Sequence, residues 1–516
     1  MLFNSHIFIL VFLPITLLGF FLLGGRGQVR AARLWLLAAS LVFYGWWSWG
    51  YLVLLVATMV VNWGLGRRIH ALLERGLPRR AYLATAIGIS ANLALLAYFK
   101  YATFIAGNVA ALTGLDFAVQ AVVLPLAISF HTFQQIAYLV DVLGGRARRY
   151  ALPDYLLFVS FFPQLIAGPI VHHHELLPQF ERRAIYRFQP TAFAEGVAFF
   201  VLGLVKKLAI ADPVGTLAAP IFLTAAEAPP GLFEAWLAAI AFSVGLYFDF
   251  SGYSDMAVGL ARMFGIQLPY NFNSPYKADS VIEFWRRWHM TLSRFLRDYV
   301  YIPLGGNRLG PRRRHVNLMA TMLIGGLWHG AAWTFVAWGA LHGFYLLVNH
   351  AWRGYAARVE ATTGRRVALG GTLASVLTLL AVLVAWVFFA SPSFAAAASV
   401  LAGMCGVGGV ARPETWALFD LFSEGGLVGL KERFSGSVML GHAIVYGTLG
   451  LGLLVIFTAP NSQEIIDGRA ERLDERRRWR RLRFQPTAGT ALLAAAGLLG
   501  AFSLMADVKE FVYFQY

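Results

Sequence analysis

Two histidines sit where their chemistry would matter. His329 lies in LIGGLWHGAAWTFVAWG, residues 323–339, as the one ionisable group in a stretch of apolar and small residues. The uncharged run around it spans residues 316–352. At 1.5 Å per residue, His329 falls roughly 20 Å into that run, near the middle of a bilayer. An ionisable side chain at that depth is a functional-site hypothesis by default. An imidazole has a reference pKa of about 6.5, so its neutral ring can take a proton from an attacking hydroxyl. Gly325, Gly326, Gly330, Ala331 and Ala332 leave room beside it. The alternative is a histidine that hydrogen-bonds across helices and holds a bundle together.

His289 lies in SVIEFWRRWHMTLSRFLRDYVYIP, residues 280–303. Ser280 and Glu283 have capping-box spacing, which predicts a helix from Val281. Phe284, Trp285, Trp288, Leu292, Phe295, Leu296 and Tyr299 recur at helical spacing, with Arg286, Arg287, Arg294 and Arg297 largely opposite. The pattern reads as one amphipathic helix lying in, or dipping from, a membrane interface. From 286 to 314 the chain is dense in arginine, with Asp298 its sole acid. Such a stretch suits a loop drawn to anionic head groups. It equally suits guanidinium forks for a phosphorylated donor. LGGNRLG, residues 304–310, lacks the Gly-Lys-Ser/Thr ending of a P-loop.

Asp249 and Asp255 stand in the apolar string YFDFSGYSDMAVG, residues 247–259, beside Ser251, Tyr253 and Ser254. Buried acids need partners, so a structural polar network is expected, with a proton relay or cation site as the alternative. LPYNFNSPY, residues 268–276, contains Asn271 and Asn273 and reads as an ordered loop near the membrane surface. SFHTFQQIAYLVD, residues 129–141, sets His131, Gln134, Gln135 and Asp141 in an apolar segment. In FFPQLIAGPIVHHHELLPQF, residues 161–180, Pro163 and Pro169 break or kink a helix. His172, His173 and His174 are adjacent, so on a helix they point about 100° apart and cannot all face one ion. No metal site is expected. Cys405 is the only cysteine, which excludes an intrachain disulfide and reads as a small buried hydrophobe.

These segments need elements to position them. The chain has 516 residues, 58% hydrophobic and 14% charged, against about 25% charged in soluble domains. Residues 2–25 and 34–66 contain no Asp, Glu, Lys or Arg. The first run lacks a basic leader and a small-residue cleavage site, and reads as a retained span. The net charge of +16 resides in short basic clusters between apolar runs, the positive-inside pattern, which argues against nucleic-acid binding. These clusters mark the cytoplasmic side: residues 26–33, 67–80, 146–149, 286–314, 353–366 and 469–483. Expected spans lie near 3–23, 34–48, 50–66, 82–99, 118–142, 152–170, 193–210, 235–250, 316–336, 337–352, 369–390, 438–458 and 486–505. That gives an all-α polytopic protein with roughly 11–13 crossings. Residues 34–66 are generous for one span and tight for two; if two, Tyr44, Trp46, Trp47 and Trp49 would form the turn of a short hairpin at the far interface. Residues 391–437 form the largest extracytoplasmic loop and 459–485 a cytoplasmic one. The mixed segment near 245–345 cannot simply cross lipid; it lines a cavity, lies in the interface, or is buried in protein. No internal repeat is found, which disfavours many secondary transporters.

Taken together, SFHTFQQIAYLVD, FFPQLIAGPI, DFSGYSDMAVG, NFNSPYKADSVIEFWRRWHMTLSRFLRDYVYIPLGG and GGLWHGAAWTFVAWG, in that order, resemble the membrane-bound O-acyltransferase (MBOAT) family. The resemblance is to its bacterial alginate O-acetylation branch, which the opening MLFNSHIFILVFLP and the late FTAPNSQEI also match. It covers essentially the whole chain as a single integral-membrane domain: N-terminal helices over 1–150, a central catalytic core over 151–352 and C-terminal helices over 353–516.

The resemblance implies a ring of helices, some re-entrant or interfacial, around a central catalytic tunnel. It makes His329 the catalytic histidine and His289 the second active-site histidine. Trp328, Trp285, Trp288, Arg286, Arg287, Asn271, Asn273, Asp249 and Tyr253 are candidates to line the substrate path. No cofactor is implied beyond acetyl-CoA, or another acyl thioester, as donor substrate. The implied partners are an extracytoplasmic acetyltransferase and a cell-surface polysaccharide acceptor, and the implied setting is the bacterial inner membrane. D-alanyl or other acyl transfer, a proton-coupled transporter using Asp249, Asp255, His289 and His329, and a non-catalytic assembly scaffold are the rival readings.

Overall fold

The computed structural model describes residues 1–115, 123–410, 438–468 and 483–505, and among these the regular structure is helical, with no strand. Five helices are long and apolar enough to cross a membrane by length and composition: Phe8–Gly25, Trp49–Glu74, Pro78–Thr113, Leu232–Met263 and Gly371–Ala390. Some of the other expected spans fall on shorter helices, such as Val29–Gly45 and Ile128–Leu143, and 152–170 is interrupted.

Helices α1 (Leu13–Gly25), α2 (Val29–Gly45), α3 (Trp49–Glu74) and α4 (Pro78–Leu96) run up and down. Gly27 and Gly76 turn the chain at the basic end with φ of 76° and 70°. At the other end three residues separate α2 from α3, and Ser48 caps α3 by accepting from Tyr51 N. The aromatic knot is therefore a hairpin turn. Helix α4 continues through a π-helical turn, Ala97–Tyr101, into α5 (Ala102–Thr113). Helix α6 (Ile128–Leu143) packs on α3 and α4. Asn62, Asn92, Gln135 and His131 form a buried hydrogen-bonded chain among the three helices. Polar side chains serve as glue where the surrounding medium offers no hydrophobic drive.

The expected span at 152–170 is broken. Helix α7 (Leu152–Ser160) ends at Phe161, whose φ and ψ of −51° and 106° are not helical. A four-residue α8 (Phe162–Leu165) follows, with Pro163 in its first turn. Residues 166–172 are irregular and buried before α9 (His173–Phe180). Backbone outside helices is tolerated at membrane depth only where protein covers it.

Helices α10 (Pro190–Val205), α11 (Asp212–Thr224) and α12 (Leu232–Met263) form the central wall. A Cβ on Gly252 would lie 2.7 Å from the Gly203 carbonyl, and one on Gly259 2.5 Å from that of Gly196. These glycines let α10 and α12 touch backbone to backbone. Residues 243–263 of α12 are all buried, so its polar groups face protein, as the mixed composition required. Helix α13 (Val281–Arg287) starts where the Ser280 cap predicts, with Ser280 Oγ accepting from Glu283 N at 3.3 Å. The single amphipathic helix expected beyond it is instead two, because the chain breaks at Trp288–His289 and restarts as α14 (Met290–Leu296).

Helices α15 (Gly310–His329) and α16 (Trp333–Thr363) form a hairpin, and α17 (Gly371–Ala390) and α18 (Phe394–Met404) follow. The break between α15 and α16 falls at residues 330–332, not 336–337. A Cβ on Gly326 would lie 2.3 Å from the Phe335 carbonyl, so the hairpin closes on a bare backbone. Helices Val438–Thr458 and Ala488–Leu504 complete the described chain. Most of the loop expected at 391–437, and the basic cluster from 469 up to Arg483, lie outside the described residues.

Candidate active site

His329 is the last residue of α15, not a mid-helix residue. Gly330 leaves the helix extended, and any side chain on it would collide with the Phe335 ring. The His329 ring is edge-on to Trp328, Trp338 and Phe389, with centroids 4.9, 5.0 and 5.2 Å away. It is 5% exposed. That residual exposure has a place to go. A cavity of about 100 Å³ is lined by His329, Trp328, Lys100, Leu124 to Phe130, and Ile166. It sits at the start of α6 and the end of α15. Arg146 to Arg149 and Arg312 to Arg314 belong to the opposite ends of those helices.

The end of α15 is closed from outside the helix. A helix leaves its last four carbonyls without intrahelical partners. Lys100 Nζ donates to the carbonyls of Trp328 at 2.7 Å and His329 at 2.9 Å, and Tyr101 Oη donates to that of Leu327 at 2.7 Å. Nearby, Trp333 Nε1 donates to Asn108 Oδ1 at 2.8 Å. The arm formed by α4 and α5 thus latches the α15–α16 hairpin. A lysine near a bilayer centre costs about 2.5–3.5 kcal/mol on insertion scales. Its hydrogen bonds to the two carbonyls offset part of that.

His289 joins α13 to α14 with φ 42° and ψ 52°. A non-glycine residue held in that left-handed region costs of order 1–3 kcal/mol. Asn271 secures it. Met290 N donates to the Asn271 carbonyl at 2.9 Å, and the Asn271 Oδ1 lies 3.3 Å from His289 Nδ1. The same Oδ1 accepts from Thr291 Oγ1 at 2.6 Å, and Asn271 Nδ2 donates to Ser254 Oγ at 3.1 Å. This assigns the proton to Nδ1 and the ring lone pair to Nε2. His289 is 0% exposed, edge-on to Phe250 at 4.7 Å and 6.3 Å from Trp328. Both histidines therefore flank one indole, which Phe133 holds by stacking at 5.2 Å.

The other expected residues divide. Trp288 is buried against Trp386 at 5.0 Å, and Trp285 is edge-on to Trp338 at 5.8 Å, so both join the aromatic wall behind His329. Arg286 and Arg287 pair with Glu283 at 3.6 and 2.7 Å. Asn273 N donates to the Arg287 carbonyl, and its side chain accepts from Asn461 at 2.9 Å. Tyr253 accepts from Ala167 N and stacks on Phe3. Asp249 lies 2.6 Å from the wholly buried Lys207, which also pairs with Asp212 at 2.8 Å. Asp255 pairs with Lys206 at 2.6 Å.

Asp141, His173 and His174 bring possible ligand atoms within 4.8 Å of one another. The atoms of Asp141 and His173 already have hydrogen-bonding roles. Asp141 binds His173 at 3.1 Å, Tyr299 at 2.8 Å and Arg146 at 2.8 Å, while His173 Nδ1 meets Tyr150 Oη at 2.8 Å. The set ties α6, α9 and the segment after α14 together.

Sequence reasoning passed over two residues. Lys100 falls one position beyond the expected 82–99 span; a lone cation at the end of such a run was the available signal. His342 lies thirteen residues after His329 in a second His-Gly pair, ALHG. It is 0% exposed, accepts from Trp285 Nε1 at 3.3 Å, and its Nε2 has no hydrogen-bond partner among the described residues.

A multi-helix membrane protein holding two buried histidines against one indole, at the foot of a cavity, has the build of an intramembrane enzyme. The model of the MBOAT, membrane-bound O-acyltransferase family matches residues 75–390, and the chain belongs to that family and is an O-acyltransferase. It is 38% identical to the peptidoglycan O-acetyltransferase of Helicobacter pylori, over 100% of this chain and 98% of that protein. It is 40% identical to the probable alginate O-acetylase AlgI of Pseudomonas aeruginosa, over 86% of this chain and 81% of that one. It is 30% identical to the teichoic acid D-alanyltransferase of Streptococcus thermophilus, over 44% of this chain and 57% of that one.

Proposed function

We propose that this enzyme moves an acetyl group from a cytoplasmic thioester across the inner membrane to an envelope polysaccharide, or to an extracytoplasmic acetyltransferase that completes the transfer. The observation that carries this reading is His329 at a broken helix end, lining a cavity opposite the arginine-bearing ends of α6 and α15. In this reading the donor enters from the arginine side. Exposed Arg308, Arg312 and Arg313 hold the phosphates of acetyl-CoA as charge-assisted forks. The acceptor hydroxyl comes from the cavity side. His329 takes its proton, the oxygen attacks the thioester carbonyl, the carbon–sulfur bond breaks, and the thiolate leaves with a proton. His289, fixed by Asn271, orients or polarises the carbonyl.

Acetyl is favoured over D-alanyl because the relatives named for O-acetylation align along most or all of the chain. The relative named for D-alanyl transfer aligns along less than half. Those acetylation relatives are named for two polymers, peptidoglycan and alginate. The test is to delete the gene and assay alkali-labile acetate on purified peptidoglycan and exopolysaccharide separately. Loss from one polymer, restored by the gene, supports the reading and names the acceptor. Unchanged acetate on both overturns it.

A further inference from the structure

The cap on α15 points to a further residue that the reaction needs. We infer that Lys100 is a positioning residue for acyl transfer: it fixes the broken end of α15 so that His329 faces the cavity through which the acceptor arrives. This inference rests on the catalytic reading of His329.

Three observations converge. Lys100 Nζ bridges the carbonyls of the two residues that line the cavity from α15, at 2.7 and 2.9 Å. Lys100 is itself part of the cavity wall with His329. The contact comes from 228 residues earlier in the chain, through a π-helical turn that sets Tyr101 on the Leu327 carbonyl and Lys100 on the next two. Gly330 departs in extended conformation, so the helix has no local C-terminal turn to hold its last residue. Without an outside donor the terminal carbonyls would face a water-poor interior, and the last turn would unwind or tilt to find partners. The His329 ring hangs from that turn. A small shift there displaces the imidazole from both reactants, and displacements of about 1 Å cost on the order of a hundred-fold in rate. Arginine can replace lysine because its guanidinium keeps N–H donors for these carbonyls, which methionine lacks.

The test uses the full chain in proteoliposomes, with soluble peptidoglycan or alginate supplied as the hydroxyl acceptor, and follows CoA release from acetyl-CoA. The variants are Lys100→Met, Lys100→Arg, His329→Ala and the double variant Lys100→Met/His329→Ala. The expected result is a fall of at least ten-fold in kcat for Lys100→Met, with KM for acetyl-CoA within two-fold of wild type. Lys100→Arg should recover most of the rate, and the double variant should be no slower than His329→Ala. A wild-type kcat in folded Lys100→Met overturns the inference while leaving His329 in place. Full activity of His329→Ala, or no CoA release by the wild-type chain, overturns the reading beneath it. If Lys100→Met does not fold, Lys100→Ala removes the same donors without placing a thioether at the helix end and takes its place. Failure of both to fold, or a rise in KM with kcat unchanged, assigns Lys100 another role and overturns the inference.

Discussion

His289 Nδ1 lies 3.3 Å from Asn271 Oδ1, eighteen residues earlier in the chain. That contact fixes which nitrogen carries the proton, and the Asn271 backbone also anchors Met290, the first residue of α14. Replacing Asn271 with Ala removes partners from His289, Thr291 and Ser254 together. An unsatisfied buried polar group costs about 1–3 kcal/mol. Asn271→Ala should therefore lower acetyl transfer at least ten-fold while folded protein persists. Transfer rates in membranes, normalised to folded protein, check this, and an unchanged rate contradicts it.

The hairpin that carries His329 depends on Gly326. A methyl there would meet a backbone carbonyl at 2.3 Å, whereas one on Gly325 would meet only the flexible tip of Leu296 at 3.2 Å. Overpacking costs typically about 1–3 kcal/mol. Gly326→Ala should lose that much stability and most activity, and Gly325→Ala much less of either. Thermal unfolding in detergent distinguishes them, and equal midpoints contradict the packing.

The arginines between α14 and the first turn of α15 bear on donor binding. If Arg308, Arg312 and Arg313 hold donor phosphates, replacing all three with Ala should raise KM for acetyl-CoA about ten-fold or more. The value of kcat should stay within about two-fold. High salt should raise the wild-type KM in the same direction, because exposed charges are screened. A KM unaffected by both moves the donor elsewhere.

Lys207 pairs with both Asp249 and Asp212 inside the protein. Removing one member of a buried pair costs about 3–5 kcal/mol because a charge is left unpaired. Lys207→Met should be strongly destabilised, and Lys207→Met/Asp249→Asn less so, a non-additive pattern expected of contacting residues. Loss of activity in Asp249→Asn with an unchanged unfolding midpoint would instead place Asp249 on the substrate path.

Much of this architecture is legible in the residues. Long uncharged runs separated by arginines give a polytopic helical protein, and Ser280 with Glu283 gives the start of α13. The strings around His289 and His329 give the family. What periodicity missed are the breaks. The Trp288–His289 break follows from a tertiary anchor, Asn271, and aromatic spacing continues across it undisturbed. The end of α15 is set by Lys100 and by close contact at Gly330, neither of which alters hydropathy. The aromatic turn at residues 46–48 was ambiguous because thirty-three uncharged residues suit one long span or two short ones, and the Ser48 cap decides it.

The central claim is that His329 performs the proton transfer of acyl transfer. Its most direct test is the rate at which membranes containing His329→Ala move labelled acetyl from acetyl-CoA to the envelope acceptor, at matched levels of folded protein. General base catalysis contributes about 10²- to 10⁴-fold. A fall within or beyond that range is the predicted result; a rate equal to wild type would contradict the account.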